Sequence, residues 1–259
     1  MHIKELFSLS RKCAVVVGGA GKIGFPICEA LAEAGAQVYI VSRQEENYLS
    51  AAEKLCAAGL DVHGLRMDQS DEGSVASCLE AIARNSKIPD ILVNCGVERP
   101  MKKYFDDDIE FWDCSMNVNA RGLFITCRAF GKAMAKQGGG CIINVASIYG
   151  LVAPDQHIYE GTSMQTEPDY PYTKGGMIMF SKYLASLFSK DKVRVNCIAP
   201  GGFFNHQEEP FYSRYIKKVP MRRMAYHDDL KGVAVFLASD ASAYITGVVI
   251  PVDGGLTVI

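Results

Sequence analysis

The sequence predicts a single α/β domain built on a Rossmann-like, doubly wound parallel sheet of about seven strands. Short apolar runs rich in β-branched residues recur along the 259 residues, as expected of strands that are covered on both faces. Helical patterns separate these runs, and such alternation implies right-handed crossovers and a parallel sheet. A glycine-rich turn, residues 18–24, follows the first run at the place where a nucleotide-binding unit has its phosphate loop.

The apolar runs and the helical patterns alternate along the whole chain. The predicted strands are residues 13–17, 37–41, 61–67, 90–94, 141–146, 193–199 and 248–252. The clearest helical patterns are residues 27–35, 74–85, 123–137 and 176–190. No internal repeat or interdomain linker interrupts this order, so we expect residues 1–259 to form one domain.

Two segments lack this alternation, residues 151–168 and 202–224. Both follow the carboxyl ends of predicted strands, where open α/β sheets bind their ligands. We therefore interpret 151–168 as an insertion at the active site and 202–224 as a lid over the substrate. The aromatic and basic side chains of the second segment are expected either to wall a pocket or to form an ordinary packed helix.

Composition excludes several other classes of protein. The formal net charge of -2 provides no basic field for nucleic acid, and no apolar run approaches the roughly 20 residues that cross a bilayer. The N-terminus does not have the pattern of a signal peptide, and the nine cysteines show no CxxC spacing, so we expect a cytoplasmic protein with free thiols. The five histidines are dispersed, so no metal site is expected.

The glycine-rich turn indicates a site for a dinucleotide. Gly18, Gly21 and Gly24 permit a tight turn, a close approach of the backbone to a pyrophosphate, and close packing of the next helix. The start of that helix would direct its amide groups at the phosphates. The predicted contact includes the intervening Lys22 and Ile23. A turn with three glycines can also be purely structural, and its position at a strand–helix junction favours the functional interpretation.

The end of the second strand indicates which dinucleotide is bound. An acidic residue there would accept hydrogen bonds from both ribose hydroxyls of NAD, but this chain has Ser42 and Arg43. Arg43 can form a forked contact with a 2′-phosphate, so NADP(H) is favoured and NAD(H) is the alternative. The alternative interpretation of Arg43 is a solvated arginine at a strand end that has no part in cofactor binding. Asp68 could accept a hydrogen bond from adenine or cap a loop, and Asn94 would lie along the cofactor.

Eight segments of the chain, taken in order, resemble the single-domain branch of the short-chain dehydrogenase/reductase family. They are residues 18–24, 67–75, 91–94, 118–122, 143–150, 170–174, 193–202 and 239–255. The resemblance implies that Gly96, Pro200 and Gly201 also contact the cofactor. The insertion and the segment that begins at Gly201 look like a subgroup associated with bacterial surface-sugar or flagellin-glycan biosynthesis, whose relatives include gluconate-type dehydrogenases.

The chain departs from the usual pattern of that family at four places, one of which is Asn205, where a threonine usually follows the Pro-Gly motif. Val17 stands where a threonine is usual, and Lys22 replaces a glycine, which gives the GxxGxxG spacing of the sugar-nucleotide branch. The residues after the fourth strand begin Asn94-Cys95-Gly96 where the family has Asn-Asn-Ala. Ser147 and Tyr170 are 23 positions apart, whereas about 12 to 14 is typical, and the insertion accounts for the excess.

Tyr170 and Lys174 are the predicted proton-transfer pair, and both are also predicted to contact the cofactor, Lys174 through the hydroxyls of the nicotinamide ribose. A free phenol titrates near pH 10, and a neighbouring ammonium favours the phenolate. The two residues are four positions apart, so on a helix they lie on one face. Tyr159 has nearly the usual spacing from Ser147, but Ser163 stands where the lysine would be. A chance surface pair is the alternative interpretation of the Tyr–Lys spacing.

Two further residues complete the predicted catalytic set. Ser147 would hold the substrate oxygen by a hydrogen bond, and the alternative is an ordinary serine at a strand end. The resemblance implies that Asn119 holds a water between Lys174 and solvent, whereas an asparagine at a helix kink is the structural alternative. Pro171 disfavours helical geometry in the residue before it, so we expect Tyr170 at the very start of its helix, with Asp169 as N-cap.

The expected activity is hydride transfer between a nicotinamide cofactor and a hydroxyl or keto group of a small polar substrate. A sugar, a sugar acid or a nucleotide sugar is the expected substrate class. The alternatives are a sugar-nucleotide epimerase or dehydratase, which the glycine spacing suggests, and a non-catalytic cofactor-binding protein. The resemblance also implies a homo-oligomer, a dimer or tetramer, paired through helices around 104–137 and 172–190.

Overall fold

Seven parallel strands form one sheet in the computed structural model, which describes residues 2–259. The strands are β1 (Cys13–Val17), β2 (Gln37–Ser42), β3 (Val62–Arg66), β4 (Ile91–Asn94), β5 (Gly140–Val145), β6 (Val193–Pro200) and β7 (Val249–Val252). Their order across the sheet is β3-β2-β1-β4-β5-β6-β7. The predicted doubly wound parallel sheet is confirmed, and each predicted strand matches an observed one to within two residues at either end.

Helices connect successive strands and cover both faces of the sheet. They are α1 (Ile3–Leu6), α2 (Gly24–Glu33), α3 (Glu45–Ala57), α4 (Glu72–Asn85), α5 (Ile109–Met116), α6 (Leu123–Gln137), α7 (Asp169–Phe188), α8 (Phe211–Lys218) and α9 (Asp228–Ala238). A π-helical turn, Asn117–Gly122, joins α5 to α6. The sequence patterns did not single out α3 or α9, although Leu230, Ala234 and Leu237 of α9 follow a helical period and are fully buried.

The sequence of β1 is a continuous hydrophobic run because its side chains are buried on both faces of the sheet. Ala14 and Val16 face one core cluster, which α2 and α9 help to form. Val15 and Val17 face the opposite cluster, which includes side chains of α4, α6 and α7. Each buried Val or Leu contributes about 1.5–3 kcal/mol relative to exposure. The burial of both strand faces therefore stabilises the central position of β1 in the sheet.

The register of the central strands brings their carboxyl ends to one edge. Val17 of β1 lies opposite Asn94 of β4, and Asn94 lies opposite Asn144 of β5. The chain reverses its winding between β1 and β4, and the loops that leave these strands diverge there. A crevice therefore opens above β1 and β4. In the part of the chain that the structure describes, no helix has the length and apolarity needed to span a membrane.

Candidate active site

The turn between β1 and α2 depends on glycine at two positions. Gly18 has φ +70°, and a Cβ atom there would lie 2.8 Å from the Cα atom of Gly96. A Cβ atom on Gly24 would overlap the carbonyl oxygen of Gly18 and approach Gly19 Cα to 2.7 Å. Gly21 is different, since its Cβ would meet only the oxygen of Gly18, at 3.3 Å. The turn is therefore packed tightly on its inner side and open at Gly21.

A cavity of about 390 Å³ extends from this turn across the ends of β2 and β4. Five predicted cofactor residues are among its lining residues: Gly18, Gly21, Ser42, Arg43 and Gly96. Lys22, Gly24, Asp68 and Asn94 are not among them. Met67, Gln69 and Glu98 also line the cavity, and the sequence patterns did not single them out as site residues.

The side chains of Asp68 and Asn94 make other contacts. Asp68 Oδ1 accepts hydrogen bonds from the backbone N of Ser70 at 2.9 Å and from its Oγ at 2.6 Å. Asn94 is buried and donates to Asn144 Oδ1 at 2.7 Å, which links β4 to β5. Their neighbours Gln69 and Cys95 face the cavity instead. Asp68 thus orders its own loop, and Asn94 links two strands of the sheet, while the contacts of both residues with a cofactor stay predictions.

A smaller cavity of about 100 Å³ adjoins the first. Cys95 and Val97 line both cavities. The smaller one brings together Ser147, Tyr170 and Lys174 with three predicted cofactor residues, Ile23, Pro200 and Gly201. Residues from five separate parts of the chain, the glycine turn among them, therefore converge at one place.

Lys174 is held in this cavity by the sheet. Its Nζ donates a hydrogen bond of 2.7 Å to the carbonyl oxygen of Val145, the last residue of β5, and the residue is 4% exposed. The same Nζ lies 5.7 Å from the centroid of the Tyr170 ring. A buried ammonium needs polar partners to remain charged. The carbonyl supplies one such partner, and the phenol lies one helical turn away.

The start of α7 positions Tyr170, with one difference from expectation. Tyr170 is the second residue of the helix, which confirms its predicted place. The predicted N-cap, Asp169, is wrong, because Pro168 occupies the N-cap position and Asp169 is already helical. The Asp169 carboxylate is buried and accepts a hydrogen bond of 2.6 Å from Ser115 Oγ, on α5. A long-range partner replaces the local capping bond.

Ser147 follows β5 and presents its hydroxyl to the cavity. Its Oγ accepts a hydrogen bond of 3.1 Å from the backbone N of Tyr149. That bond uses the oxygen as an acceptor, and the hydroxyl proton is left for a donor role toward a substrate oxygen. The residue is 6% exposed, so such a donor would act in a largely dehydrated place.

Asn119 makes three hydrogen bonds to protein groups, and its role of holding a water stays a prediction. Its Oδ1 accepts from the backbone N of Glu98 at 2.8 Å. Its Nδ2 donates to the carbonyl oxygen of Glu98 at 2.7 Å and to Ser115 Oγ at 2.9 Å. The side-chain oxygen and nitrogen of Asn119 therefore already have protein partners. The side chain fastens the loop after β4 to the π-helical turn.

That loop carries two charged side chains, of which Glu98 lines the larger cavity and Arg99 lies against the Tyr170 ring. Glu98 Oε2 lies 2.6 Å from Arg43 Nη2. The guanidinium carbon of Arg99 lies 4.5 Å from the centroid of the Tyr170 ring. The sequence contained no signal for Arg99, because no spacing rule relates it to Tyr170.

The insertion and the predicted lid pack against each other beside the smaller cavity. Tyr159 OH lies 2.8 Å from Tyr149 OH and 2.7 Å from Thr166 Oγ1. The Tyr159 ring also lies 5.1 Å from that of Phe211 in α8. Burial raises the pKa of Tyr149 and raises that of Tyr215 to about 12. These phenols are therefore neutral hydrogen-bonding groups at neutral pH.

Comparison with known proteins agrees with this geometry. A family model described as enoyl-(acyl carrier protein) reductase matches residues 18–257. The chain is 34% identical to D-threitol dehydrogenase of Mycolicibacterium smegmatis, over 97% of this chain and 95% of that protein. It is 33% identical to a 3-oxoacyl-[acyl-carrier-protein] reductase of Chlamydia pneumoniae, over 96% and 98%. It is 32% identical to gluconate 5-dehydrogenase of Gluconobacter oxydans, over 100% and 99%.

Two solved structures show the same fold with a cofactor present. A gluconate 5-dehydrogenase from Burkholderia cenocepacia, in complex with NADP and tartrate, matches with TM-score 0.89 and 29% identity over all of both chains. A short-chain dehydrogenase from Leptospira borgpetersenii with bound NAD+ matches with TM-score 0.86 and 30% identity, over 99% of this chain and 96% of that one. The fold, the glycine turn and the Tyr170–Lys174 pair, together with these relatives, place the chain in the short-chain dehydrogenase/reductase family, as a single-domain oxidoreductase that uses a nicotinamide cofactor.

Proposed function

We propose that this oxidoreductase acts on a hydroxyl or keto group of a sugar acid, with NADP(H) as the favoured cofactor and NAD(H) as the alternative. The observation that carries the proposal is the convergence of Ser147, Tyr170 and Lys174 on one small cavity beside the glycine turn. Arg99 supports the acidic substrate class, because its exposed guanidinium lies at the rim formed by Tyr170.

The residues around the larger cavity fit a nicotinamide dinucleotide. The open side of the turn at Gly21 leaves room for phosphates. In the described part of the chain, no side chain makes a capping hydrogen bond at the start of α2, so the first amides of this helix suit an anion. Arg43 at the end of β2 suits a 2′-phosphate, which is why NADP(H) is favoured. When bound, the nicotinamide ring would supply or accept the hydride.

The chain's own residues would handle the proton and the substrate oxygen. In the direction of reduction, Ser147 donates a hydrogen bond to the carbonyl oxygen, and the Tyr170 hydroxyl gives its proton to the nascent alkoxide. The Lys174 ammonium stabilises the phenolate that remains. Oxidation uses the same groups in reverse, with the phenolate as base.

Arg99 adds selectivity for a charged substrate. A guanidinium matches a carboxylate in geometry as well as in charge. Its position over the Tyr170 ring would hold the acid group of a substrate while a neighbouring hydroxyl carbon faces the phenol. Tartrate, found with one of the structural relatives, is a compound of this class.

A substrate screen tests the proposal. Purified protein would be incubated with aldonic acids, neutral polyols and a 3-oxoacyl thioester, each with NADP(H) or NAD(H), and nicotinamide absorbance would be followed. We expect turnover with an aldonic or keto-aldonic acid. We expect Tyr170→Phe to lower kcat by at least about 10²-fold while the variant still binds the cofactor. Tyr172→Phe is the matched control, since Tyr172 lies on the same helix and is 64% exposed.

Different results would contradict different parts of the proposal. Turnover of only neutral polyols or thioesters would refute the acidic substrate class. Full activity of Tyr170→Phe would refute the mechanism. Cofactor binding without any turnover, unaffected by this substitution, would favour a non-catalytic binding protein. A product that is epimerised or dehydrated would favour the sugar-nucleotide alternative.

We also propose that the active site is covered by the insertion, 151–168, and the lid, 202–224. Buried side chains of both segments form one apolar cluster, which supports their acting as one unit: Ile158, Tyr159, Phe211, Tyr215, Val219 and Met224. Limited proteolysis checks this. We expect cofactor and substrate together to slow cleavage in both segments, and cleavage that ligands leave unchanged would argue against a cover.

A homo-oligomer in the cytoplasm is the proposed state of the protein. Large apolar side chains are exposed on α5, α6 and α7, which supports self-association through these helices. They include Ile109, Phe111, Phe124, Met179, Tyr183 and Leu187. The nine cysteines are unpaired, as is usual in a reducing compartment. Light scattering that gives a monomer mass, or fractionation that finds the protein outside the cytoplasm, would refute these proposals.

A further inference from the structure

The ion pair between Arg43 and Glu98 crosses the mouth of the larger cavity. Arg43 directly follows β2, and Glu98 lies in the loop after β4. Because β1 stands between these two strands, the pair extends over the end of β1, where the glycine turn begins. Both residues line the cavity together with Gly18 and Gly21. The pair therefore lies within the proposed cofactor site and not on a remote surface.

Glu98 is presented to Arg43 from a fixed backbone. Its N and its carbonyl oxygen are both bonded to the side chain of Asn119, at 2.8 Å and 2.7 Å. Only Nη2 of the guanidinium contacts the carboxylate, at 2.6 Å. Among the described residues, no other hydrogen-bond or ion-pair partner of the Arg43 side chain is present. Within residues 2–259, the carboxylate of Glu98 is thus the one group that neutralises this arginine.

This arrangement matters for a phosphate at the adenosine 2′ position. A phosphate monoester carries a charge of about -1.5 to -2 at pH 7. It would compete with Glu98 for Arg43, and it would also be repelled by the carboxylate. A 2′-hydroxyl is neutral and can donate a hydrogen bond to a carboxylate. It therefore neither competes with Glu98 for Arg43 nor is repelled by the carboxylate.

We infer that Glu98 is a second determinant of cofactor selectivity, which holds Arg43 and thereby lowers the preference for NADP(H) over NAD(H), an inference that rests on the proposed function. Arg43 attracts the 2′-phosphate and Glu98 weakens that attraction. The balance between the two side chains, and not the arginine alone, sets the ratio of affinities for the two cofactors.

Binding titrations of the purified protein test the inference without turnover. The dissociation constants of NADPH and NADH would be measured by nucleotide fluorescence for the wild type, Glu98→Gln, Arg43→Gln and the double variant. Competition by 2′,5′-ADP and by 5′-AMP isolates the contribution of the 2′-phosphate. Glu53→Gln is the matched control, because it removes the same charge from an exposed position on α3, away from the cavity.

We expect Glu98→Gln to tighten NADPH and 2′,5′-ADP about three- to tenfold, the range that single exposed charge contacts supply. NADH and 5′-AMP should be unchanged. In the Arg43→Gln background, the gain in affinity for NADPH that Glu98→Gln produces should shrink, because the guanidinium that Glu98 would otherwise hold is absent. The gain should also shrink at about 1 M salt, where the screening length is about 3 Å.

Other results would overturn the inference. An unchanged ratio of the two affinities, an equal gain in Glu53→Gln, or weaker NADPH binding by Glu98→Gln would each do so while leaving the proposed function standing. A wild-type protein that binds neither cofactor would overturn the proposed function and this inference with it. Thermal unfolding of Glu98→Gln shows whether the loop is intact. Glu98→Asp, which retains the charge, is a second variant, and competition by 2′,5′-ADP measures its affinity for the 2′-phosphate.

Discussion

The guanidinium of Arg99 lies 4.5 Å from the centre of the Tyr170 ring, and Lys174 Nζ lies 5.7 Å from it. Two cations therefore flank one phenol. Lys174 comes from the same helix as Tyr170, whereas Arg99 comes from the loop after β4. The two differ in exposure, since Lys174 is buried and Arg99 is open to solvent. The buried cation suits the proton-transfer step, and the exposed one suits a substrate group that arrives from outside.

Replacing Arg99 should affect acidic substrates selectively. We expect Arg99→Ala to lower kcat/KM for a sugar acid about 10- to 100-fold, which is what one charge-assisted hydrogen bond supplies. Activity on a neutral polyol should change little, because no carboxylate is lost from contact. Arg84→Ala, an exposed arginine on α4, is the control. Equal losses on neutral and acidic substrates in steady-state kinetics would exclude this role.

Replacing Asn119 should loosen the loop that carries Glu98 and Arg99. Asn119→Ala removes three hydrogen bonds and leaves the half-buried backbone N and carbonyl oxygen of Glu98 unpaired, so we expect the free energy of unfolding to fall by about 1–3 kcal/mol. Turnover should fall as well, since both charged side chains lose their support. Urea denaturation and kinetics measure the two effects. Asn117→Ala, in the same π-helical turn but bonded only to exposed Arg121, should change neither.

Substitutions at two glycines of the turn should have different effects, one on protein stability and the other on cofactor binding. A Cβ atom on Gly24 would collide with the backbone of Gly18 and Gly19, so Gly24→Ala should destabilise the protein by about 1–3 kcal/mol. A Cβ on Gly21 would meet only the carbonyl oxygen of Gly18, at 3.3 Å, and a shift of a few tenths of an ångström would relieve that contact. Gly21→Ala should therefore keep its thermal stability and weaken cofactor binding. Calorimetry with and without NADPH distinguishes the two variants, and equal losses of stability would argue against this division.

Glu167 should make stability depend on pH. Burial raises the pKa of its carboxyl above the usual value, and Asp107 and Asp169 add to the effect. The folded state then binds more protons than the unfolded state at pH values from 4.5 up to the raised pKa. Stability contributed by this group is present below pH 4.5 and is lost as the pH rises through that window.

The substitution Glu167→Gln checks this direction. The amide oxygen can still accept the hydrogen bond of 2.9 Å from the backbone N of Tyr104. We expect the variant to be more stable than the wild type at pH 7 to 8, and the difference to shrink as the pH falls. Chemical denaturation across this pH range measures it. A difference that grows on acidification would show that the carboxylate is stabilised in the folded state.

Local sequence patterns were sufficient for the sheet and for the proximity of Tyr170 and Lys174. The runs in β1 and β2 are continuous and β-branched because both faces of these strands are buried. Strands buried in this way are composed almost entirely of apolar residues, so the sequence reveals them. Tyr170 and Lys174 meet because four residues make about one helical turn. The same local reasoning was wrong for Asp169, whose carboxylate bonds Ser115 on another helix instead of capping its own.

By itself, the sequence determined the α/β class, the succession of strands and helices along the chain, the glycine turn and the spacing of Tyr170 and Lys174. Each of these depends on residues that are neighbours in the chain. Only the tertiary structure decided that Glu98 meets Arg43, that Arg99 covers Tyr170 and that Asn119 holds the loop between them. These contacts join residues from 21 to 71 positions apart, Asn119 with Glu98 (119 − 98) and Tyr170 with Arg99 (170 − 99). Such separations carry no periodic signal, and the contacts exist because parallel strands bring their carboxyl ends, and the loops that follow, to one edge of the sheet.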